Sequence, residues 1–131
     1  MEQRNLKIGQ WEVEFYFAIT GYDSDVLIDR MFDFGAGIDT MKRALRLMES
    51  GSLNTGLTFS NPDEKVAIVA IGPTSSADEF IDSLSHEVYH LAVAIADSLG
   101  IDLMSESPAY MVGDSMRELA DLVCSMGCKC H

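Results

Sequence analysis

The sequence predicts an α+β domain in which a small β-sheet packs against several helices. Apolar residues alternate with other residues over positions 11–19, which is the period of a β-strand. Val66–Ile71 is an unbroken apolar run of the length that strands have. After Thr74, apolar residues recur at steps of three and four over a long stretch, which is typical of a helix with one buried face.

The first element is the strand over residues 11–19, for which the alternation predicts a single buried face. A turn over residues 21–24 follows it. Residues 25–35 have helical spacing at some apolar positions and strand-like spacing at others, and we favour a helix. A second helix is predicted over about residues 39–50, because glycine at position 51 favours a helix end there.

A β-hairpin is predicted next. Residues 57–60 form its first strand, Asn61-Pro62-Asp63 has the composition of a turn, and residues 65–71 form the second strand. The apolar run in this second strand indicates that both of its faces are covered. We also expect this strand to offer an edge to an extended peptide.

The longest helix is predicted to begin within residues 74–77, where Ser76 and Glu79 have the spacing of a capping box, and to end at Gly100. Its expected core stripe is Ile81, Leu84, Val88, Leu91 and Ile95. A final helix is predicted to start near Ser105 or Glu106, with Pro108 in its first turn. Its expected inner face is Ala109, Gly113, Met116, Ala120 and Val123.

Length and charge limit the class of protein. The 131 residues fit a single domain, and residues 1–131 contain no repeat or linker-like stretch. The net charge is −12, which disfavours a nucleic-acid partner because backbone phosphates would be repelled. Neither a membrane-spanning run nor a signal peptide is evident, so we expect no membrane partner and a cytoplasmic location. The oligomeric state is left open.

Three cysteines lie close to the C-terminus, at positions 124, 128 and 130, and His131 follows them. An odd number of cysteines without a signal peptide favours a reducing compartment. Their spacing differs from that of paired zinc-binding CxxC units, so we interpret them as terminal thiols rather than a metal site.

The motif that carries chemistry is His86-Glu87-Val88-Tyr89-His90, an HExxH sequence inside the long helix. A spacing of four places both imidazoles on one helix face, where they can occupy two corners of a zinc tetrahedron. Glu87 is expected beside the metal, where its carboxylate can take a proton from a metal-bound water. The competing interpretation is a pair of partly exposed helical histidines beside a solvated glutamate.

A zinc site needs at least a third ligand, and the sequence leaves several acids open for it. Glu106, at the start of the final helix, is the preferred candidate, because small residues on its face would let the two helices approach closely. Asp114 and Glu118 are the fallback ligands, and Asp102 is a weaker one. Tyr110 lies one turn after Glu106, and its phenol could hold an oxyanion near the metal. Tyr89 and Asp97 are further, weaker candidates for the surroundings of the metal.

Residues 60–114 resemble small zincin-like proteins encoded by bacterial phages and conjugative elements. The resemblance lies in the apolar strand Val66–Ile71, the Thr74-Ser75-Ser76 turn, the HExxH helix and a glutamate followed by Ala109-Tyr110; residues 53–60 resemble them too. The arrangement also resembles that of the gluzincins, of which thermolysin is a large example. The resemblance implies a minimal zincin-like domain with His86, His90 and Glu106 as zinc ligands and Glu87 as base.

Three hypotheses about function follow from these observations. The first is a zinc-dependent metallopeptidase that hydrolyses a peptide bond in a narrow protein target. The second is a non-catalytic metal-binding protein, structural or regulatory, of a phage or mobile element, in which a fourth protein ligand closes the site. The third is an acidic protein that binds a basic protein surface and needs no metal.

Overall fold

The computed structural model describes residues 1–127, apart from the side chains at positions 124 and 126. Within this range the α+β class predicted from the sequence is confirmed, since a mixed four-stranded sheet packs against helices. The strands are β1 (Glu2–Ile8), β2 (Trp11–Phe17), β3 (Leu57–Asn61) and β4 (Val66–Ile71). The helices are α1 (Ser24–Asp33), α2 (Ile38–Glu49), α3 (Ala77–Ser98), α4 (Ser107–Glu118) and α5 (Ala120–Gly127). Short 3-10 turns occupy Gly21–Asp23 and Leu53–Thr55.

The order of strands in the sheet is β1-β2-β4-β3. β2 pairs antiparallel with β1 and parallel with β4, and β3 pairs antiparallel with β4. The expectation that Val66–Ile71 offers a free edge is therefore wrong, because β2 and β3 occupy both sides of β4. The edge strands are β1 and β3.

Helices cover both faces of the sheet, so the molecule has two apolar cores. Alternate residues of β2 and β4 face α3, α4 and α5, and the residues between them face α1 and α2. The prediction of one buried face for β2 is wrong, because Tyr16 on the second face is also buried beneath α1 and α2. β2 also ends at Phe17, short of the predicted position 19, and Ala18 has φ +56°.

β1 was not predicted, because its sequence is mostly polar. Only Leu6 and Ile8 of this strand pack against the core, and the strand is held by its register with β2, in which Glu2 pairs with Phe17 and Ile8 with Trp11. A strand of this kind forms because a neighbouring strand presents unpaired backbone groups. The side chains of β1 itself show no pattern that would predict a strand.

α3 is the longest helix of the described chain and has the predicted ends. The Ser76 hydroxyl accepts a hydrogen bond from the Glu79 backbone N–H at 3.1 Å, and Gly100 follows the last turn with φ +69°. Leu84, Val88, Leu91 and Ile95 are buried as predicted. Ile81 is 42% exposed, so the predicted stripe was one residue too long.

The final helical region differs from the prediction in its phase. It is divided at Leu119 into α4 and α5, and the residues that it buries include Pro108, Ser115, Leu119 and Leu122. Of the predicted inner face, Ala109, Gly113 and Ala120 are exposed, while Met116 and Val123 are half-buried. Larger apolar side chains bury more surface than alanine and glycine, and they set the rotation of the helix. In the described part of the chain, no helix combines the length and apolarity that crossing a membrane requires.

Candidate metal centre

His86 and His90 lie one turn apart on α3, and their imidazole rings meet at the surface of the helix. The two Nε2 atoms are 3.0 Å apart, and the ring planes are nearly perpendicular. Both side chains are exposed, with His86 at 64%. The two nitrogens therefore lie close together where solvent and ions can reach them, close enough for both to bind one metal ion.

Glu87 lies beside them but points inward, away from solvent. It is only 5% exposed, and among the described residues it is the one charged residue that is buried. Its Oε2 atom lies 3.9 Å from His86 Nε2, and the ligand atoms of His86, Glu87 and His90 all lie within 4.8 Å of one another. Ligands of a tetrahedral zinc are separated by roughly 3.4 Å, given metal–nitrogen bonds of about 2.0–2.1 Å. The group has the dimensions of a metal site.

The Glu87 carboxylate packs against the segment that leads into the edge strand β3. The Thr58 hydroxyl donates a hydrogen bond of 2.9 Å to Glu87 Oε1. Gly56 lies against the same side chain, and a Cβ atom at position 56 would come within 2.5 Å of Glu87 Cγ. Since Gly56 also has φ +90°, both its backbone conformation and its surroundings favour glycine.

Residues 53–58, which we name the 53–58 segment, are anchored to the first half of α3 by a line of polar side chains. Ser83 donates a hydrogen bond of 2.7 Å to the Asn54 carbonyl oxygen, and the Asn54 amide donates one of 3.0 Å to Glu79. Ser75 also donates to Glu79, and these two hydrogen bonds hold the pKa of the Glu79 carboxyl below its ordinary value. Glu79, Ser83 and Glu87 therefore form one polar face of α3 beneath this segment.

Glu106 and Tyr110 contact each other. The Tyr110 hydroxyl donates a hydrogen bond of 3.0 Å to Glu106 Oε2, and both side chains are exposed. Glu106 is not part of the three-residue group formed by His86, Glu87 and His90. The close approach expected from small residues does not occur at Gly113, where a Cβ atom would meet nothing within 4 Å. The ligand role of Glu106 and the oxyanion role of Tyr110 stay predictions.

The fallback ligands occupy other surroundings. Asp114 accepts a hydrogen bond from Arg117, and with Glu118 it lines an open groove of about 1030 Å³ between the β1–β2 hairpin and α4. Asp102 accepts a hydrogen bond of 2.9 Å from the Met104 backbone N–H within the loop before α4. Tyr89 and Asp97 are exposed on α3. The terminal group of Cys124, Cys128, Cys130 and His131 lies outside the described residues and side chains.

Thr58 and Gly56 are the residues of the site that sequence reasoning did not identify. A signal was available on the helix, since Glu79, Ser83 and Glu87 recur every four residues and predict a polar face. The partner of that face depends on which strand lies at the edge of the sheet, and the sequence does not give the strand order.

Comparison of the chain with protein-family models, with curated proteins and with solved structures gives no match. The zincin-like character inferred from HExxH therefore stays a prediction, and the interpretation of the site depends on its own geometry.

Proposed function

We propose that this protein is a zinc-dependent hydrolase of peptide bonds, in which His86 and His90 bind the metal and Glu87 is the general base. The observation that carries the proposal is the convergence of two exposed imidazole nitrogens, 3.0 Å apart, beside a buried carboxylate 3.9 Å from one of them. Zinc held there would supply a Lewis acid and would lower the pKa of a coordinated water towards 7.

The burial of Glu87 supports the role of base. An isolated buried carboxylate is costly, and in a purely structural helix an apolar residue at this position would pack without that cost. Thr58 satisfies one carboxylate oxygen and leaves the other on the side of His86. From that position Glu87 can accept a proton from the attacking water and pass it to the leaving amine, a role that typically contributes 10²- to 10⁴-fold to the rate.

The position of β3 supports a peptide as substrate. β3 is an edge strand, so one of its sides has no partner strand within residues 1–127, and it carries Thr58, which touches Glu87. An extended peptide that added to this edge by main-chain hydrogen bonds would run past the carboxylate. The requirement for an extended segment is consistent with a narrow protein target.

Glu106 is the proposed third protein ligand, and Glu106→Gln tests it. A direct ligand loses a bond and a charge when it becomes glutamine, so we expect weaker zinc binding. Glu49→Gln, the same change at an exposed residue at the end of α2, is the control. Zinc affinity equal to that of the wild type would remove Glu106 from the site and leave water at the remaining positions.

A second candidate function is favoured by the same geometry. Because the ligand atoms of all three residues lie within 4.8 Å of one another, Glu87 could itself bind the metal, and a fourth protein ligand such as Glu106 would then close a non-catalytic site. Glu87→Gln separates the two candidates. A base touches only the water, so its loss spares zinc binding, whereas the loss of a ligand weakens it.

The proposed activity is tested by incubating the zinc-loaded full chain with a peptide library and identifying cleaved bonds by mass spectrometry. We expect cleavage by the wild type and by Asp82→Asn, an exposed change on α3, and none by Glu87→Gln at equal zinc content. Equal cleavage by wild type and Glu87→Gln would contradict the role of Glu87. No cleavage by the wild type would contradict the peptidase and favour the closed metal site.

A further inference from the structure

We infer that Thr58 and Gly56 are positioning residues that fix the orientation of the Glu87 carboxylate beside the two histidines. This inference rests on the proposed function, and it extends the site from the HExxH helix to the edge of the sheet. It assigns a role to the 53–58 segment, which runs from the turn after α2 into the first two residues of β3.

Thr58 determines which carboxylate oxygen is free. Its hydroxyl lies 2.9 Å from Glu87 Oε1 and 3.3 Å from the Glu87 carbonyl oxygen, and its single proton is donated chiefly to the nearer carboxylate oxygen. Oε2 then remains as the oxygen nearer to His86. A hydroxyl that donates to a carboxylate makes a charge-assisted hydrogen bond, which is stronger and more directional than a neutral one.

Gly56 closes the space into which the side chain could otherwise turn. A Cβ atom at this position would lie 2.5 Å from Cγ, 2.9 Å from Cδ and 3.0 Å from Oε2 of Glu87. The space that a side chain at position 56 would need is therefore occupied by the Glu87 side chain. Any larger residue at position 56 would force the carboxylate, and with it the proton acceptor, out of its place.

The segment can act as a fixed wall because its ends are anchored. The Leu53 carbonyl oxygen accepts hydrogen bonds from the backbone N–H groups of Gly56 and Gly72, at 2.9 and 2.8 Å, and Ser83 binds the Asn54 carbonyl oxygen. Because the 53–58 segment is fixed in this way, it restricts the Glu87 side chain that packs against it. A proton-transfer group requires such a restricted geometry. The positioning role therefore needs no movement of the segment.

The first test uses Thr58→Val, which removes the hydroxyl and keeps a β-branched side chain suited to a strand. The matched control is Thr55→Val, the same change at an exposed threonine of the same segment. In the zinc-loaded full chain, we expect Thr58→Val to lower kcat on a cleaved library peptide by about 10- to 100-fold, with KM and zinc content unchanged. Thr58→Ser, which keeps the hydroxyl, should restore most of kcat, and Thr55→Val should have no effect.

The second test needs no substrate. Crystal structures of the zinc-loaded wild type, Thr58→Val and Gly56→Ala should show the carboxylate displaced from His86 in both variants and not in the wild type. A Glu87 carboxylate that keeps its place in Thr58→Val and Gly56→Ala would overturn the inference, and so would a Thr58→Ser variant as slow as Thr58→Val. A wild type that binds zinc and cleaves nothing would count against the proposed function alone, because the carboxylate position still decides the inference.

Discussion

Glu87 is the residue at which the fold and the proposed function make opposite demands. Its carboxylate is buried against Gly56 and Thr58, with one hydrogen bond from a side chain where water would supply several. The neighbouring His86 and His90 are exposed and cost the fold little. Residues of this kind, which weaken the fold locally, are concentrated at functional sites.

Neutralising Glu87 should stabilise the metal-free protein. Glu87→Gln removes the buried charge, and its amide oxygen can still accept the Thr58 hydrogen bond. We expect the free energy of unfolding to rise by about 1 kcal/mol, which is the usual size of the gain from a single stabilising substitution. Urea unfolding of the metal-free wild type, Glu87→Gln and the exposed control Asp82→Asn measures it. A lower free energy of unfolding in Glu87→Gln would contradict this expectation, because it would mean that the Glu87 charge stabilises the folded protein.

At the scale of elements, the geometry of the candidate metal centre depends on where α3 begins. The Ser76 cap fixes the first turn, from which Glu79, Ser83 and Glu87 follow every four residues along the face that meets the 53–58 segment. The start of the helix therefore sets the rotation at which its polar face meets this segment.

Removing the α3 cap should weaken the fold without changing the chemistry. Ser76→Ala leaves the Glu79 backbone N–H without its side-chain acceptor, and we expect a loss of about 1 kcal/mol in the free energy of unfolding. Ser75→Ala is the comparison, because it removes a neighbouring hydroxyl that binds the Glu79 side chain instead. Thermal unfolding of both variants measures the effect, and equal midpoints for wild type and Ser76→Ala would contradict the capping role.

The elements with strong local signals were predictable from the sequence. The hairpin of β3 and β4, helices α1 and α2 and both ends of α3 lie close to the predicted positions, because turns, caps and periodic apolar faces are local properties. β1 was not predicted, because backbone pairing with β2 stabilises it and its polar sequence has no apolar alternation. The predicted inner face of α4 has the wrong rotation, because the small residues on which it depends are exposed.

The candidate site was predictable only in part, for the same reason. His86, Glu87 and His90 lie together because one helix carries them, and their spacing alone implies it. Thr58 and Gly56 come from a different element, and their proximity to Glu87 follows from the placement of β3 at the sheet edge beside α3. Strand order is a property of the whole fold, so no local pattern predicts it.

At the scale of the whole molecule, the sheet is enclosed by two layers of helices, and one ion pair ties β2 to the layer of α1 and α2. Arg30 donates two hydrogen bonds, of 3.0 and 2.7 Å, to the Glu14 carboxylate, which is 16% exposed. Burial alone would raise the pKa of Glu14, but the hydrogen bonds from Arg30 and Tyr16 outweigh it and lower the pKa. Burial and the contact with Glu14 raise the pKa of Tyr16 to about 12.

This ion pair should make stability depend on pH below the ordinary glutamate range. Because the folded protein lowers the pKa of Glu14 below 4.5, its contribution is complete above pH 4.5 and is lost as the pH falls through the lowered value. We expect the difference in free energy of unfolding between wild type and Glu14→Gln to shrink from pH 6 to about pH 3. Glu12→Gln, exposed on the same strand, is the control. A difference that stays constant or grows as the pH falls would contradict this account.

The proposed function depends on zinc binding by His86 and His90, and the cysteines near the C-terminus could obscure its measurement. Thiolates bind zinc, and the sequence holds three of them near its end, followed by His131. The measurement therefore uses the full chain with Cys124, Cys128 and Cys130 replaced by serine and His131 by alanine. Any zinc that this variant binds must be held by residues other than these four.

The most direct test is a zinc titration of this variant, followed by elemental analysis of the loaded protein after dialysis. We expect about one zinc per chain, lost in His86→Ala and in His90→Ala and kept in Glu87→Gln and in the control Asp82→Asn. No bound zinc in this variant, or zinc that persists when both histidines are replaced, would contradict zinc binding by the two histidines.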